Sequence, residues 1–295
     1  MDEVQFIGVG AGRSGTTWTV RILSEHPQIF CPRLGELNYF ANTRPYNTAS
    51  EYDKMGIKGY IELFKDGEDK VKGDFSSYYM VNPHVAEIIK KHFPNAKIWA
   101  CLRDPVERAY SDWLAFINFK LKDNENFESA FFGEQTGLYP KGDGYRHRGF
   151  YYKHLKPYFE LFPKENIKII LHEDLIKNPE GIAKEFYEFL GVNPSYIPKN
   201  LNERPSKSRR TKYKFLRKSI NFLADISHKF ENGSLGSLTF WRKRKTKIND
   251  IFNKINDINI KEADKPKLNP EIKKKLKEVY LEDIEKLEKL IGRDL

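Results

Sequence analysis

The stretch "FIGVGAGRSGTTWTVRIL", Phe6 to Leu23, sets an apolar run, a glycine-rich turn and an amphipathic segment end to end. The apolar run closed by glycines reads as a buried strand, and Thr16 to His26 as a helix stopped by Pro27. Between them, Gly10-Ala11-Gly12-Arg13-Ser14-Gly15-Thr16-Thr17 keeps the spacing of the phosphate-cradling pattern G-x-x-x-x-G-K-[ST], with Thr16 where that pattern has lysine. Backbone N–H groups of such a loop, with the N-terminus of the following helix, hold a phosphate whether or not the lysine is there. What the replacement removes is a contact along the β- and γ-phosphates, where magnesium is normally held by the same loop. No apolar strand ends in an aspartate suited to a second magnesium anchor. Asp104 and Asp74 come nearest, and Asp104 is placed to cap a helix. The loop is therefore suited to a 5′-phosphate that carries something other than a magnesium-bound phosphate chain.

Working outward, strand-like runs alternate with helix-like ones, the pattern of a parallel sheet covered by helices. Val4–Val9, Val71–Phe75, Lys97–Leu102 and Ile167–Leu171 are the predicted strands. Asn82–Phe93 is a predicted helix with Val85, Ile88 and Ile89 on one side, and Pro179–Leu190 another, ended at Gly191. In Asp104-Pro105-Val106-Glu107 the cap, the proline and the acid all fall where a helix start prefers them. Leu268 to Ile291 is expected to close the chain as one amphipathic helix. Lys212 to Lys267, rich in Lys and Asn, reads as an irregular helical insertion or lid. The whole, residues 1–295, is expected to be one domain carrying a basic insertion over about 205–265.

Composition supports this frame. With 39% hydrophobic residues in 295, a sizeable core can be buried. No apolar run reaches the roughly 18 residues that span a bilayer, and the start Met1-Asp2-Glu3 runs straight into a strand, so a cytoplasmic protein is expected. Two cysteines, Cys31 and Cys101, cannot build a disulfide framework or a cysteine metal site, and read as buried thiols. The formal charge of +10 is concentrated: Arg204 to Lys247 holds fourteen Lys or Arg against Asp225 and Glu231, a local +12 that leaves the remainder near −2. That excess suits contact with an anion, or is simply a solvated basic face.

"GAGRSGTTW" resembles the 5′-phosphosulfate loop of sulfotransferases that use 3′-phosphoadenosine-5′-phosphosulfate (PAPS), with Arg13 at the family's basic position. "LRDPVERAYSDW", Leu102 to Trp113, resembles the family's 3′-phosphate signature, about 90 residues downstream and in the right order. "RGFYYKHLKPYFELFP" from Arg148, "LGVNP" from Leu190 and the terminal "LEKLIGRDL" extend the likeness to the carbohydrate-type and bacterial members. The resemblance implies an α/β fold with a central parallel sheet flanked by helices, like that of P-loop nucleotide hydrolases. It also implies a PAPS donor, adenosine 3′,5′-bisphosphate (PAP) as product, and no metal.

Carried over residue by residue, the resemblance puts Arg13, Ser14, Gly15, Thr16 and Thr17 at the 5′-phosphosulfate, and Arg103 and Ser111 at the 3′-phosphate. The chemistry agrees with those placements. Arg103 stands at the C-terminal end of a predicted strand, where open α/β sheets bind ligands, and a guanidinium suits bidentate phosphate recognition. Ser111 falls two helical turns past the Asp104 cap and on its side. Taken singly, Arg103 also reads as an ion-pair partner of Asp104 or Glu107, and Ser111 as a helix-surface hydroxyl. Arg13 can offset charge growing on the departing bridging oxygen.

For the base, "GELNYF" resembles the carbohydrate-branch pattern K-E-x-x-[FY]-F through Glu36, with Gly35 in place of its lysine. His147 and His154 are the fallbacks. The histidine of the phenol- and steroid-directed branch has no counterpart in "VKGDFSSYYM". There, Gly73-Asp74-Phe75-Ser76-Ser77 also replaces the carbohydrate branch's Glu-Lys-Ser/Thr-Pro, so a donor-activating lysine is missing and Arg13 or another cation has to compensate. The segment "RPSKSRRTKY" falls where the family closes a loop over the nucleotide, with Lys207, Arg209 and Arg210 as candidates. Tyr145, Arg146 and Arg148 either border the acceptor site or form a solvated loop.

The expected activity is sulfuryl transfer to a hydroxyl or an amine of a saccharide or small metabolite, with an anionic or glycan acceptor suggested by the basic excess and no nucleic-acid partner. A magnesium-dependent small-molecule kinase would explain the glycine loop but not Thr16 or the Arg103 and Ser111 pair. A polyanion-binding module would explain the basic segment and leave the loop unexplained.

Overall fold

Five short strands lie parallel in one sheet: β1 (Phe6–Gly10), β2 (Ile29–Phe30), β3 (Val71–Phe75), β4 (Lys97–Leu102) and β5 (Ile167–Leu171), in the order β2-β3-β1-β4-β5. The computed structural model describes residues 4–32, 35–41, 50–120, 126–133, 144–203, 209–211, 260–262 and 266–295. Its chain divides into two compact units, one of Met1–Trp113, Asn126–Pro205 and Leu268–Leu295, the other of Leu114–Glu125 and Ser206–Lys267.

The sheet is buried on both faces, and the alternation of its side chains separates two cores. Ile7, Val9, Ile98, Ala100 and Leu102 face one way, packing against α3 (Pro83–His92), α6 (Tyr151–Leu161) and α10 (Leu281–Ile291) through Val85, Ile89, Leu155, Tyr158 and Leu287. Phe6, Phe75, Trp99 and Cys101 face the other way, against α1 (Thr16–Glu25) and α8 (Pro179–Leu190) through Trp18, Ile22, Phe186 and Tyr187. Trp99 is wholly buried, its ring stacked on Phe75 at 5.2 Å.

The remaining helices of the described residues are α2 (Glu51–Glu62), α4 (Pro105–Lys120), α5 (Phe127–Phe132), α7 (His172–Lys177) and α9 (Pro270–Glu278). Ser50 and Asp53 close a reciprocal capping box on α2, satisfying two amides that a helix start would leave open. Asp104 Oδ1 accepts from the Val106 and Glu107 amides at 3.0 Å each, the cap expected from sequence. In the second unit, β6 (Arg209–Thr211) pairs antiparallel with β7 (Ile260–Glu262), Arg209 opposite Glu262.

The chain does not close with one helix. Asn269 caps a fresh start at Pro270, and the path breaks at Val279–Tyr280 between α9 and α10. Tyr280 is wholly buried there, its hydroxyl donating to the Arg146 carbonyl at 2.8 Å. One turn on, Asp283 accepts from the Tyr152 and Lys153 amides at 2.9 and 3.1 Å, capping α6 from a distant part of the chain.

Strand order places the loops that matter. From β1 the chain runs through α1 to β2 at one edge and returns to β3, whereas from β4 it runs the other way to β5, so the C-terminal ends of β1 and β4 open a crevice where their connections diverge. The Ala11 amide donates to Cys101 O at 2.8 Å and ties the glycine loop to the end of β4.

Candidate active site

The loop from Gly10 to Gly15 turns tightly. Arg13 sits at φ 72° and Gly15 at φ 97°, both in the left-handed region. For Arg13 that conformation is uncommon and costs on the order of 1 kcal/mol. A side chain at Gly15 would be strained and would meet Leu175 Cδ1 at 2.6 Å. Gly15 is also the N-cap of α1, with no side-chain cap. The amides of Gly12, Arg13, Gly15, Thr16 and Thr17 find no acceptor among the described residues. This is a row of donors at a helix N-terminus, the arrangement that binds a phosphate. Within it the residues differ: Thr17 is exposed, Thr16 is buried, and Ser14 turns inward with its amide on Ala11 O and its buried side chain beside the Tyr151 hydroxyl.

Next to the loop lies a connected set of charged and hydroxylic side chains. Arg13 Nε pairs with Asp112 Oδ1 at 3.4 Å. Asp112 Oδ2 also takes Arg108 Nη1 at 3.5 Å and Arg148 Nη1 at 3.3 Å. Asp112, Arg108 and Arg148 are buried, whereas the Arg13 side chain keeps 43% exposure. Arg148 Nη2 donates to Ser77 Oγ at 3.5 Å, and Ser77 donates to Glu36 Oε1 at 2.7 Å. A Cβ on Gly12 would lie 3.3 Å from both Arg148 Nη2 and Ser77 Oγ, so the glycine leaves only a narrow space between the loop and these groups. Arg13 and Glu36, the two catalytic candidates that the family resemblance implies, thus stand at the two ends of one contiguous chain of contacts.

Arg103 and Ser111 come from β4's end and from α4. Arg103 Nη2 pairs with Glu107 at 3.4 Å, the alternative raised from sequence, while its carbonyl accepts from Tyr151 at 3.0 Å. Glu107 has a second cation in Lys273 at 3.1 Å, so its charge stays balanced if Arg103 turns to another anion. Ser111 is half-buried, and its hydroxyl makes no hydrogen bond among the described residues. Asp104 is further committed to Lys273 and Lys277 at 3.4 and 3.1 Å.

Glu36 is held in place by what lies beneath it. Leu37 N donates to Phe75 O, Asn38 N to Ser76 Oγ and Tyr39 N to Tyr79 Oη, at 3.3, 2.7 and 3.0 Å. Tyr79 and Tyr60 both donate to Asp74 Oδ2, at 2.7 and 3.2 Å. Burial pushes the Asp74 carboxyl up to about 7, against these hydrogen bonds, which act to lower it. His154 Nε2 lies 3.0 Å from the His147 carbonyl, and the two rings are 4.7 Å apart. Tyr145 and Arg148 are buried, which overturns the solvated-loop alternative for both. Arg209 and Arg210 lie in β6, and Lys207 lies outside the described residues.

Sequence reading missed Ser77, Arg108 and Asp112 as parts of the site. Arg108 and Asp112 carried a legible signal, opposite charges one helical turn apart on α4.

The family model described as Sulfotransferase domain matches residues 4–289. The chain belongs to the sulfotransferase family. Among solved structures, a sulfotransferase from Alicyclobacillus acidocaldarius superposes on this domain with a TM-score of 0.67, covering 100% of this chain and 98% of its own at 22% identity, so the two share a fold. Among curated relatives, the heparan sulfate glucosamine 3-O-sulfotransferase 3A1 of Mus musculus is 26% identical over 190 residues, 64% of this chain and 46% of that protein. The membrane-associated sulfotransferase kil1 of Dictyostelium discoideum is 24% identical, covering 64% of this chain and 56% of that protein. The sulfotransferase chain spans about half the length of these curated relatives.

Proposed function

We propose that this sulfotransferase-family chain moves the sulfuryl group of PAPS to a hydroxyl or amine of a saccharide or small metabolite and releases PAP. The observation that carries the reading is the row of unpartnered amides at Gly12, Arg13 and Gly15–Thr17, flanked by the contacts that join Arg13 to Glu36. The residues fit a donor of that kind: phosphate oxygens match the amide row, and the glycine at position 12 leaves space against the loop that a Cβ would fill. A saccharide acceptor is supported by relatives named for heparan sulfate glucosamine.

PAPS supplies a sulfur bound to a good leaving group, the 5′-phosphate oxygen. The loop amides with Thr16 and Thr17 hold that phosphate, and Arg103 with Ser111 holds the ribose 3′-phosphate, Arg103 leaving Glu107 to Lys273. The acceptor oxygen or nitrogen bonds to sulfur as the bond from sulfur to the bridging oxygen breaks. The electron pair of that bond stays on the phosphate oxygen, where Arg13 offsets the new charge. Glu36 takes the proton the acceptor loses.

The reading is tested by incubating the protein with ³⁵S-labelled PAPS and a panel of desulfated heparan sulfate, smaller saccharides and simple alcohols. Label should move to at least one saccharide without added magnesium. Label that never leaves PAPS, together with γ-phosphoryl transfer from ATP and magnesium to the same panel, contradicts it.

A further inference from the structure

The stretch at the end of β3, Asp74-Phe75-Ser76-Ser77, contains no cation of its own. The structure brings one to it from elsewhere in the chain. Arg148, from the turn before α6, is buried with its guanidinium 4.9 Å over the Tyr78 ring, and its Nη2 lies at hydrogen-bonding distance from Ser77 Oγ. The same Nη2 lies 3.3 Å from where a Gly12 Cβ would stand. On the far side of Ser77, 2.7 Å away, is Glu36.

These distances define a location. A base must reach the acceptor atom, and the acceptor atom must approach the sulfur opposite the phosphate that the loop holds. A cation that stands close to the loop at Gly12 on one side, and is one hydroxyl from the base on the other, lies alongside the group that passes between them. The geometry points to Arg148 as the sulfuryl-side cation of this enzyme, an inference that rests on the PAPS reading above. Asp112 pairs with the guanidinium through Nη1, and Nη2 donates to Ser77. Because the group is already desolvated and held, little reorganisation is needed when charge spreads over the sulfuryl oxygens.

Arg148 therefore recognises what PAPS has and PAP lacks, and binding alone can test it. Calorimetric titrations with PAP and with PAPS at 4 °C, on wild type and on Arg148→Gln, should show PAP dissociation constants within about threefold of each other. PAPS should bind Arg148→Gln at least about tenfold more weakly than wild type, the loss of one charge-assisted hydrogen bond. Arg148→Lys keeps the charge without the fork and should recover part of the PAPS affinity, and it serves in place of the glutamine variant if that one does not fold. Equal weakening of both nucleotides in either variant assigns Arg148 to shaping the loop and overturns the inference, as does unchanged affinity for both. Wild type that binds neither nucleotide removes the function proposed above.

Discussion

The Ser77 hydroxyl donates to Oε1 of Glu36 across 2.7 Å, although the two residues are 41 positions apart. One Glu36 oxygen is thereby oriented by a fixed donor, and the other accepts no hydrogen bond among the described residues. Glu36→Gln keeps the size and the hydrogen bond to Ser77 but not the basicity. It should leave the PAP-induced thermal shift within about 1 °C of wild type and lower transfer at least about 100-fold. Full turnover by this variant with a competent acceptor would make the base assignment wrong.

Asp112 holds three guanidinium groups among the described residues, two of them buried. Asp112→Ala removes the carboxylate and leaves buried charge behind, a change that typically costs about 3 kcal/mol or more. Urea denaturation should show a midpoint lowered accordingly at unchanged slope. A loss under about 1 kcal/mol would mean that the arginines do not depend on it.

Asp74 gives stability a pH dependence of definite sign. Its carboxyl is raised from 3.8 to about 7 in the folded protein, so between those values the folded state holds a proton that the unfolded state has lost. Its contribution is complete below about pH 4, declines as pH rises to about 7, and is flat above. The span is at most about 4 kcal/mol, three units at about 1.4 kcal/mol each. In denaturation curves from pH 4 to 8, Asp74→Asn should remove this part of the slope. A wild-type slope that survives unchanged in the variant excludes Asp74 as its source.

Burial pushes the Cys101 thiol up to about 12, offset in part by its contact with Thr19 Oγ1 at 3.3 Å. Little thiolate exists there at neutral pH. Iodoacetamide at pH 8 should leave Cys101 unmodified in the native protein and label it in urea, read by peptide mass. Rapid native labelling at Cys101 would contradict its burial.

The parts of this molecule that sequence shows clearly are those written in short, local patterns. The loop and α1 follow from glycine spacing and periodicity within Phe6–Leu23, and β3, β4, β5 and α8 fall on the ranges that their apolar runs and caps predict. The site is less legible because its contacts span the chain. Arg148 meets Asp112 across 36 positions and Ser77 across 71, and no local pattern reports such a meeting. The break at Tyr280 is not written in the pattern either: apolar residues from Leu268 onward recur without interruption, while the backbone tightens where Val279 N bonds Leu276 O and Tyr280 N bonds Lys277 O.

The most direct test is the melting temperature of the intact chain with PAP, with ATP and magnesium, and with ATP alone. PAP at about 100 times its dissociation constant should add about 2.7 kcal/mol, a rise of roughly 5 to 10 °C, and exceed both ATP conditions. Arg103→Ala should lose that rise. A larger rise with ATP and magnesium than with PAP, or no rise with PAP at all, would contradict the account.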